Sequence, residues 1–374
     1  MLGTKALGLI FANMHDSAVG DMTATRSMAS LPFGGRYRLI DFCLSSLVGA
    51  DVSKVGVITK SNYHSLMDHL GNGQQWDLSR KRGGLSIFPP NSFFEEKESL
   101  YQGRIQALNN ILPFIKDAAF SHVVLMDCDY VCNIDVDDLI RTHIETNADV
   151  TVVCRAITPD VAACQSCVAI RCDADGRARE MYMNKMIEGG VLSMNVFVVA
   201  REPFIAMIAE ATANMDRYFE RDILAKQLDT LDVRCYLYGE FSRRIYSVKS
   251  YYDANMALLD FQNLTDLFRL DRPVYTKVRD EAPVRYGLKA EVKNALLADG
   301  CIINGAIENS VIFRGVRVEE GAQVHNSILM QNTVVKAGAN LNYVISDKDV
   351  AVGAGRTLEG SESYPVYIKK ASVV

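Results

Sequence analysis

From about residue 298 onward, apolar side chains recur at a step that neither a helix nor a strand produces. Ile312, Val318, Val324 and Met330 form one six-residue series, and Val316, Ala322, Ile328 and Val334 form another. Gly-Ala pairs stand at 321–322 and 338–339. A helix repeats every 3.6 residues and a strand every two. A six-residue step instead fits a β-helix, whose coils stack apolar rungs on one another. A β-sandwich with chance spacing is the competing reading, but it does not require two interleaved series. The prediction is a β-helix over 298–374. Such a domain offers an assembly surface, because the backbone of its end coil is free to pair with another chain.

Upstream, short apolar runs alternate with helical patterns up to about residue 260. Strands are predicted at 6–13, 54–59, 122–127 and 149–154, and helices at 38–50, 106–117 and 136–147. Pro113 is expected to kink or end the second helix. Strand–helix alternation implies a mostly parallel sheet covered on both faces. Such sheets bind ligands beyond the carboxyl ends of their strands. The stretch 267–295 loses this rhythm and carries Pro273, Pro283 and several charges, which reads as a surface linker. The expected domains are therefore 1–265 and 298–374, joined by a linker at 266–297.

Composition narrows the function. A net charge of −5 disfavours nucleic acid as a partner. No run of 18 apolar residues predicts a membrane span. The N-terminal MLGTKALGLIFAN lacks the long apolar core and cleavage site of a signal peptide, so a cytoplasmic location is expected. Among nine cysteines, Cys164 and Cys167 form a CxxC with Cys172 nearby. Neither a second CxxC nor a His pair completes a zinc set, so reduced thiols are expected.

Four segments carry a resemblance: LPFGGRYRLIDFCLSS (31–46), LYQGRIQALNN (100–110), MDCDYVCNID (126–135) and SYYDANMALL (250–259). Together they resemble the glucose-1-phosphate adenylyltransferase family over nearly the whole chain. The resemblance implies a Rossmann-like, GT-A-like nucleotidyltransferase domain with a mixed α/β sheet, followed by a left-handed β-helix of hexapeptide repeats. Catalytic members of that family join ATP and glucose-1-phosphate into ADP-glucose and release pyrophosphate. The chemistry needs a Gly-rich loop whose amides approach the triphosphate. It also needs cations that stabilise the attacked phosphoryl group, and carboxylates that hold Mg²⁺ against phosphate oxygens.

Each part is altered here. The family's LAGGRGTRL reads FANMHDSAV (11–19), so Asn13 and Met14 replace two glycines. His15 and Ala18 stand for the two arginines, and Asp16 adds a negative charge where a triphosphate would lie. A remodelled loop that still binds nucleotide is the alternative. The lysine of the family's K-P-A-V becomes Met28. Arg26 matches an arginine that some relatives use for a phosphorylated effector; a solvated surface arginine is the plainer reading. The metal aspartate of S-G-D-H is kept as Asp129, while that of W-R-D-V-G-T becomes Arg244. Arg244 is therefore expected to pair with Asp129 in the space of a cation. Asp127 could serve as a lone metal ligand or cap a loop. On the sugar side, F-V-E-K-P reads Tyr182-Met183-Asn184-Lys185-Met186. Lys185 and Ser193 remain as sugar-phosphate candidates, and Asn195 replaces a family glycine. G-T-A-D-A reads Gly103-Arg104-Ile105-Gln106-Ala107.

Lost chemistry on a kept scaffold resembles the regulatory partner subunit of this family in Gram-positive bacteria. That resemblance implies no catalytic residues, no metal and no cofactor, although catalytic relatives use Mg²⁺. It implies a catalytic ADP-glucose pyrophosphorylase subunit as partner, in a heterotetramer for glycogen biosynthesis. A homo-oligomer of the chain alone and a phosphorylated effector stay open. Two other readings compete. One is an active glucose-1-phosphate adenylyltransferase with a remodelled site, using Asp129 or Asp127 for Mg²⁺ and Arg26 or His15 as the cation. The other is a hexapeptide-repeat acyltransferase with His325 as base.

Overall fold

The computed structural model describes residues 6–90, 103–117, 120–157 and 167–374. Cys164 and the start of the 100–110 motif lie outside the described residues. The first domain is built on a nine-stranded mixed sheet. Its strands are β1 (Ala6–Phe11), β2 (Lys54–Ile58), β3 (Gly84–Phe88), β4 (His122–Asp127), β5 (Val150–Ala156), β6 (Val168–Cys172), β7 (Ala178–Met183), β8 (Val191–Ala200) and β9 (Val233–Leu237). The order runs β7-β6-β8-β4-β1-β2-β3, with β5 also pairing β8 and β9 pairing β5. β1 lies parallel between β2 and β4, with Phe11 opposite Ile58 on one side and Asp127 on the other. β1 is buried along its whole length, which explains its unbroken apolar run.

Helices follow the predicted rhythm. α1 (Leu39–Gly49) is buried from Leu39 through Leu47, including the polar Asp41, Ser45 and Ser46. Asp41 caps its first turn by accepting from Arg38 N at 2.9 Å. α2 is His64–Leu70. The predicted helix at 106–117 is two helices, α3 (Arg104–Asn110) and α4 (Leu112–Lys116). Pro113 sits in the first turn of α4, where its missing N–H costs nothing. α5 (Val136–Thr146) and α6 (Arg201–Ala213) complete the layers. α7 (Val248–Met256) starts at Ser247, whose hydroxyl accepts from Ser250 N at 3.0 Å.

The C-terminal domain is a parallel β-helix, with one correction to its predicted period. Successive strands align Ala306, Gln323, Asn340 and Thr357, a coil of 17 residues rather than 18. Its interior runs through Ile312, Val318, Val324, Leu329, Val335 and Leu341, in steps of six, six and five. A strict six-residue series therefore slips out of phase after one coil. Ile328 and Met330 are buried, but they face the first domain's core together with Phe313 and Ile345. Val334 is only half-buried, and Val335 fills the rung between Val318 and Val352. The second series is masked because Ser327 and Thr333 occupy buried positions. Each hydroxyl is satisfied by a backbone carbonyl, Ser327 on His325 and Thr333 on Met330.

The linker is also shorter than predicted. Residues 266–267 close the helix Phe261–Leu267. Arg285–Tyr286 already pairs with Ile302–Ile303, and Glu291–Leu297 pairs in parallel with Ala306–Ile312. Residues 285–297 are thus the first coil. Their outer face is exposed, so they carry little of the apolar pattern that marks later coils. Tyr252 of α7 reaches across the domains to Asn326 O at 2.7 Å.

Candidate functional site

Two strand ends make the floor of the site. β1 delivers the loop 12–19 and β4 delivers Asp127 to the same edge, where ligands of such sheets bind. A cleft of about 640 Å³ opens there, lined among others by Met14, His15, Ala18, Arg104, Asn195 and Arg244. A larger groove, about 780 Å³, runs past Ser45, Trp76 and Asp135 and is lined by none of the candidate site residues.

Arg244 lies on a short strand, Ser242–Arg244, that pairs antiparallel with Tyr130–Cys132. That ribbon presents Arg244 Nε to Asp129 Oδ2 at 2.8 Å, the contact anticipated from the sequence. Both side chains are almost wholly buried. Asn195 Nδ2 donates to the same oxygen at 3.0 Å. It does so from a bulge in β8, between Ser193 and Phe197, with φ of +57°. Among non-glycine residues asparagine tolerates that conformation best, which explains how it replaces glycine there.

Asp127 is held by a second guanidinium. Arg104 pairs with both Asp127 and Glu220, and lies between the rings of Phe11 and Phe197. His15 Nε2 sits 2.7 Å from Asp127 Oδ2 and 3.7 Å from Asp129 Oδ2. Burial opposes charge on His15, yet Asp129 and Asp127 together raise its pKa. Burial likewise opposes charge on Asp127, but Arg104 and His15 hold its pKa below the usual carboxylate range. Three carboxylates thus face two guanidiniums and the His15 imidazole, whose protonation the two aspartates favour.

His15, Asp127 and Asp129 bring ligand atoms within 4.8 Å of one another. They do not fit a Mg²⁺ site. Oδ1 of each aspartate has no hydrogen-bond partner among the described residues, but each carboxylate already meets a guanidinium, whose charge opposes a hard cation beside it.

The loop that would cradle phosphates is packed shut. Asn13 is buried, donating to Ser61 O at 3.0 Å and accepting from Lys60 N at 2.9 Å. Asp16 does not face a triphosphate as expected. It accepts from Met28 N at 2.7 Å and from Asn13 Nδ2 at 2.5 Å, and burial raises its pKa to about 6. Residues 16–23 form a 3₁₀ turn. Met14 and Ala18 line the cleft, but Met28 is buried in the core.

The sugar-side candidates are scattered. Lys185 is exposed beside the Tyr182 ring, and Asn184 lines the cleft at φ +56°. Ser193 is buried, with its Oγ accepting from Asn195 N at 3.1 Å. Arg26 is not a surface residue: it is buried and paired with Asp347 of the β-helix. His325 lies on the flat outer face of the coil, 3.7 Å from Glu308. The sequence reading missed Arg104 and Glu220 as a pair. The available signal was a charged residue at the start of a helix that meets the sheet's carboxyl edge.

A second cationic cluster lies between the domains. Arg36, Arg38, Lys277, Arg279, Arg314 and Lys348 border one small cleft that no carboxylate lines. Arg314 is buried, and its Nε and Nη2 have no partner among the described residues. Burial, with Arg38 and Arg26 nearby, lowers the Lys348 pKa to about 7.

Comparison with known proteins fits this geometry. Residues 18–173 match the nucleotidyl transferase family, and residues 282–362 match the GlmU-like C-terminal hexapeptide family. The chain is 34% identical over 373 residues to glycogen biosynthesis protein GlgD of Bacillus subtilis (strain 168), covering 100% of this chain and 98% of that protein. The chain belongs to the GlgD family. A GlgD of Geobacillus stearothermophilus is 35% identical over 86% of this chain and 84% of its own length. A glucose-1-phosphate adenylyltransferase of Clostridium novyi (strain NT) is 27% identical over 85% of this chain and 84% of its own. The GlgD fold is thus a mixed-sheet nucleotidyltransferase domain followed by a left-handed hexapeptide β-helix. Among the described residues, no helix is long and apolar enough to cross a membrane.

Proposed function

We propose that this chain is a catalytically degenerate subunit of ADP-glucose pyrophosphorylase. It would act in the cytoplasm in glycogen biosynthesis, assembling with a catalytic partner in a heterotetramer and tuning that partner's rate. The observation that carries this reading is the Asp129–Arg244 ion pair. A guanidinium occupies the position from which a second carboxylate would hold Mg²⁺. Arg104 adds a second internal cation at Asp127. Losing one preorganised charge stabiliser costs on the order of 10²–10³ in rate. Such losses do not add simply. With the loop, its arginines, the lysine and one carboxylate all changed, turnover at least ~10⁴ below a competent relative follows.

The test is pyrophosphate release by the chain alone, a catalytic counterpart alone, and the two mixed. The chain alone should be silent, and mixing should raise the counterpart's rate or its substrate affinity. Turnover by the pure chain that Asp129→Ala abolishes would instead establish an enzyme with a remodelled site. The interdomain cluster supports a phosphorylated effector as the regulator. Its basic side chains border one cleft that no carboxylate lines among the described residues, where Arg314 Nε and Nη2 have no partner. Arg26, tied to Asp347, would support the cleft's wall and not contact the effector itself.

A further inference from the structure

Two cysteines from separate parts of the sheet meet at its edge. Cys172 ends β6 and Cys235 lies in β9, and their Sγ atoms are 2.8 Å apart. That is only about 0.8 Å beyond a ~2.05 Å disulfide bond. Both are free thiols and half-buried, so a small reagent can reach them. The remaining described cysteines are buried. The backbone around the pair is already fixed. Cys235 N donates to Gly176 O at 2.8 Å, Arg234 Nη1 donates to Asp175 O at 3.0 Å, and Arg177 bridges Arg234. The hairpin tip between β6 and β7 is therefore laid along β9 without help from the sulfurs.

We propose that Cys172 and Cys235 form an oxidisable pair that closes to a disulfide within the native fold, taking small-molecule disulfides as its oxidant. One protein thiolate attacks a sulfur of the oxidant, forms a mixed disulfide and expels one small thiolate. The other protein thiolate attacks the protein-side sulfur and expels the second. Two S–H bonds break, one S–S bond forms in the protein and one breaks in the oxidant. The two protons end on the two released small thiols. The bond spans β6 and β9, and so clamps the hairpin whose far end carries Asn184 on the cleft wall. The hydrogen bond to Cys235 and burial raise the Cys172 pKa, and contact with Cys154 raises that of Cys235. Thiolate is scarce at neutral pH, so exchange is slow there and quickens with alkalinity.

The experiment incubates the full chain with oxidised dithiothreitol or oxidised glutathione at pH 7 and pH 9, then counts thiols under denaturing conditions. Nine thiols should fall to seven, faster at pH 9. Peptide mapping should find Cys172 joined to Cys235, and the oxidised chain should melt no lower than the reduced one. Cys172→Ser and Cys235→Ser should each keep all eight of their thiols. An unchanged count in the wild type would overturn the proposal. So would a cross-link through Cys154 or through Cys164 and Cys167, or a melting temperature that drops on oxidation.

Discussion

Asp129 is fully buried and shares one carboxylate oxygen between Arg244 and Asn195. Removing one member of a buried ion pair leaves an uncompensated charge and costs about 3–5 kcal/mol, whereas replacing both by apolar or neutral groups of similar size is often neutral. Arg244→Ala should therefore lower stability in urea melts by about 3–5 kcal/mol. Arg244→Met combined with Asp129→Asn should recover most of that loss; two equally damaged proteins would show that the pair is not what holds the ribbon. A second variant asks what the arginine displaces. Arg244→Asp sets a second carboxylate beside Asp129 and should create a Mn²⁺ site visible as a loss of free-ion EPR signal. The wild type should leave that signal intact. This exchange was legible in sequence because both positions match motifs of the family the chain resembles, and they carry opposite charges. Arg104 and Glu220 were not, because no motif links them. The inward turn of Asp16 was hidden for another reason. Its partners are a backbone amide and a neighbouring asparagine, which no pattern of residue types announces.

Among the elements, the β-helix shows where periodicity stops being informative. Its coil advances in steps of six, six and five, so an apolar series read at six leaves the interior at Met330 and lands on the face that meets the first domain. Interior serines and threonines such as Ser327 and Thr333 complete the concealment. α7 is one of the elements that join the two halves, through Tyr252 and Asn326 O. Asn255 Oδ1 accepts from Gly34 N at 3.0 Å, and its Nδ2 donates to Tyr251 O at 2.9 Å. Gly34 has φ of +55° and a Cβ there would meet Leu258 at 3.0 Å, so the FGG segment is a structural joint as much as a motif. Asn255→Ala leaves a buried amide unsatisfied and should cost about 1–3 kcal/mol. The same change should loosen the docking of the β-helix, read as faster hydrogen exchange across residues 326–345. Unchanged exchange there would mean that α7 does not couple the domains.

Across the whole molecule, the two domains enclose more positive charge than they neutralise, and Lys348 responds. Its folded pKa is about 7 against an ordinary value of 10.5, because burial and then Arg38 and Arg26 disfavour its proton. Between pH 7 and 10.5 the unfolded chain holds more protons at this position than the folded one. Stability from Lys348 therefore rises with pH through that window, and below pH 7 the penalty for burying its charge is fully present. An anion seated between Lys348 and Arg314 reverses the preference, since it favours the protonated amine. Sulfate keeps its charge from pH 6 to pH 9, which makes it a clean probe. Millimolar sulfate should raise the melting temperature of the chain more at pH 6 than at pH 8.5, by mass action on the folded state. Lys348→Met should melt higher than the wild type at pH 6 without sulfate and should lose the pH dependence of the sulfate effect. A sulfate gain that is equal at the two pH values, or unaltered in Lys348→Met, would place the anion elsewhere. A gain that vanishes in Arg314→Met but not in Lys348→Met would assign the anion to the guanidinium side of the cleft alone.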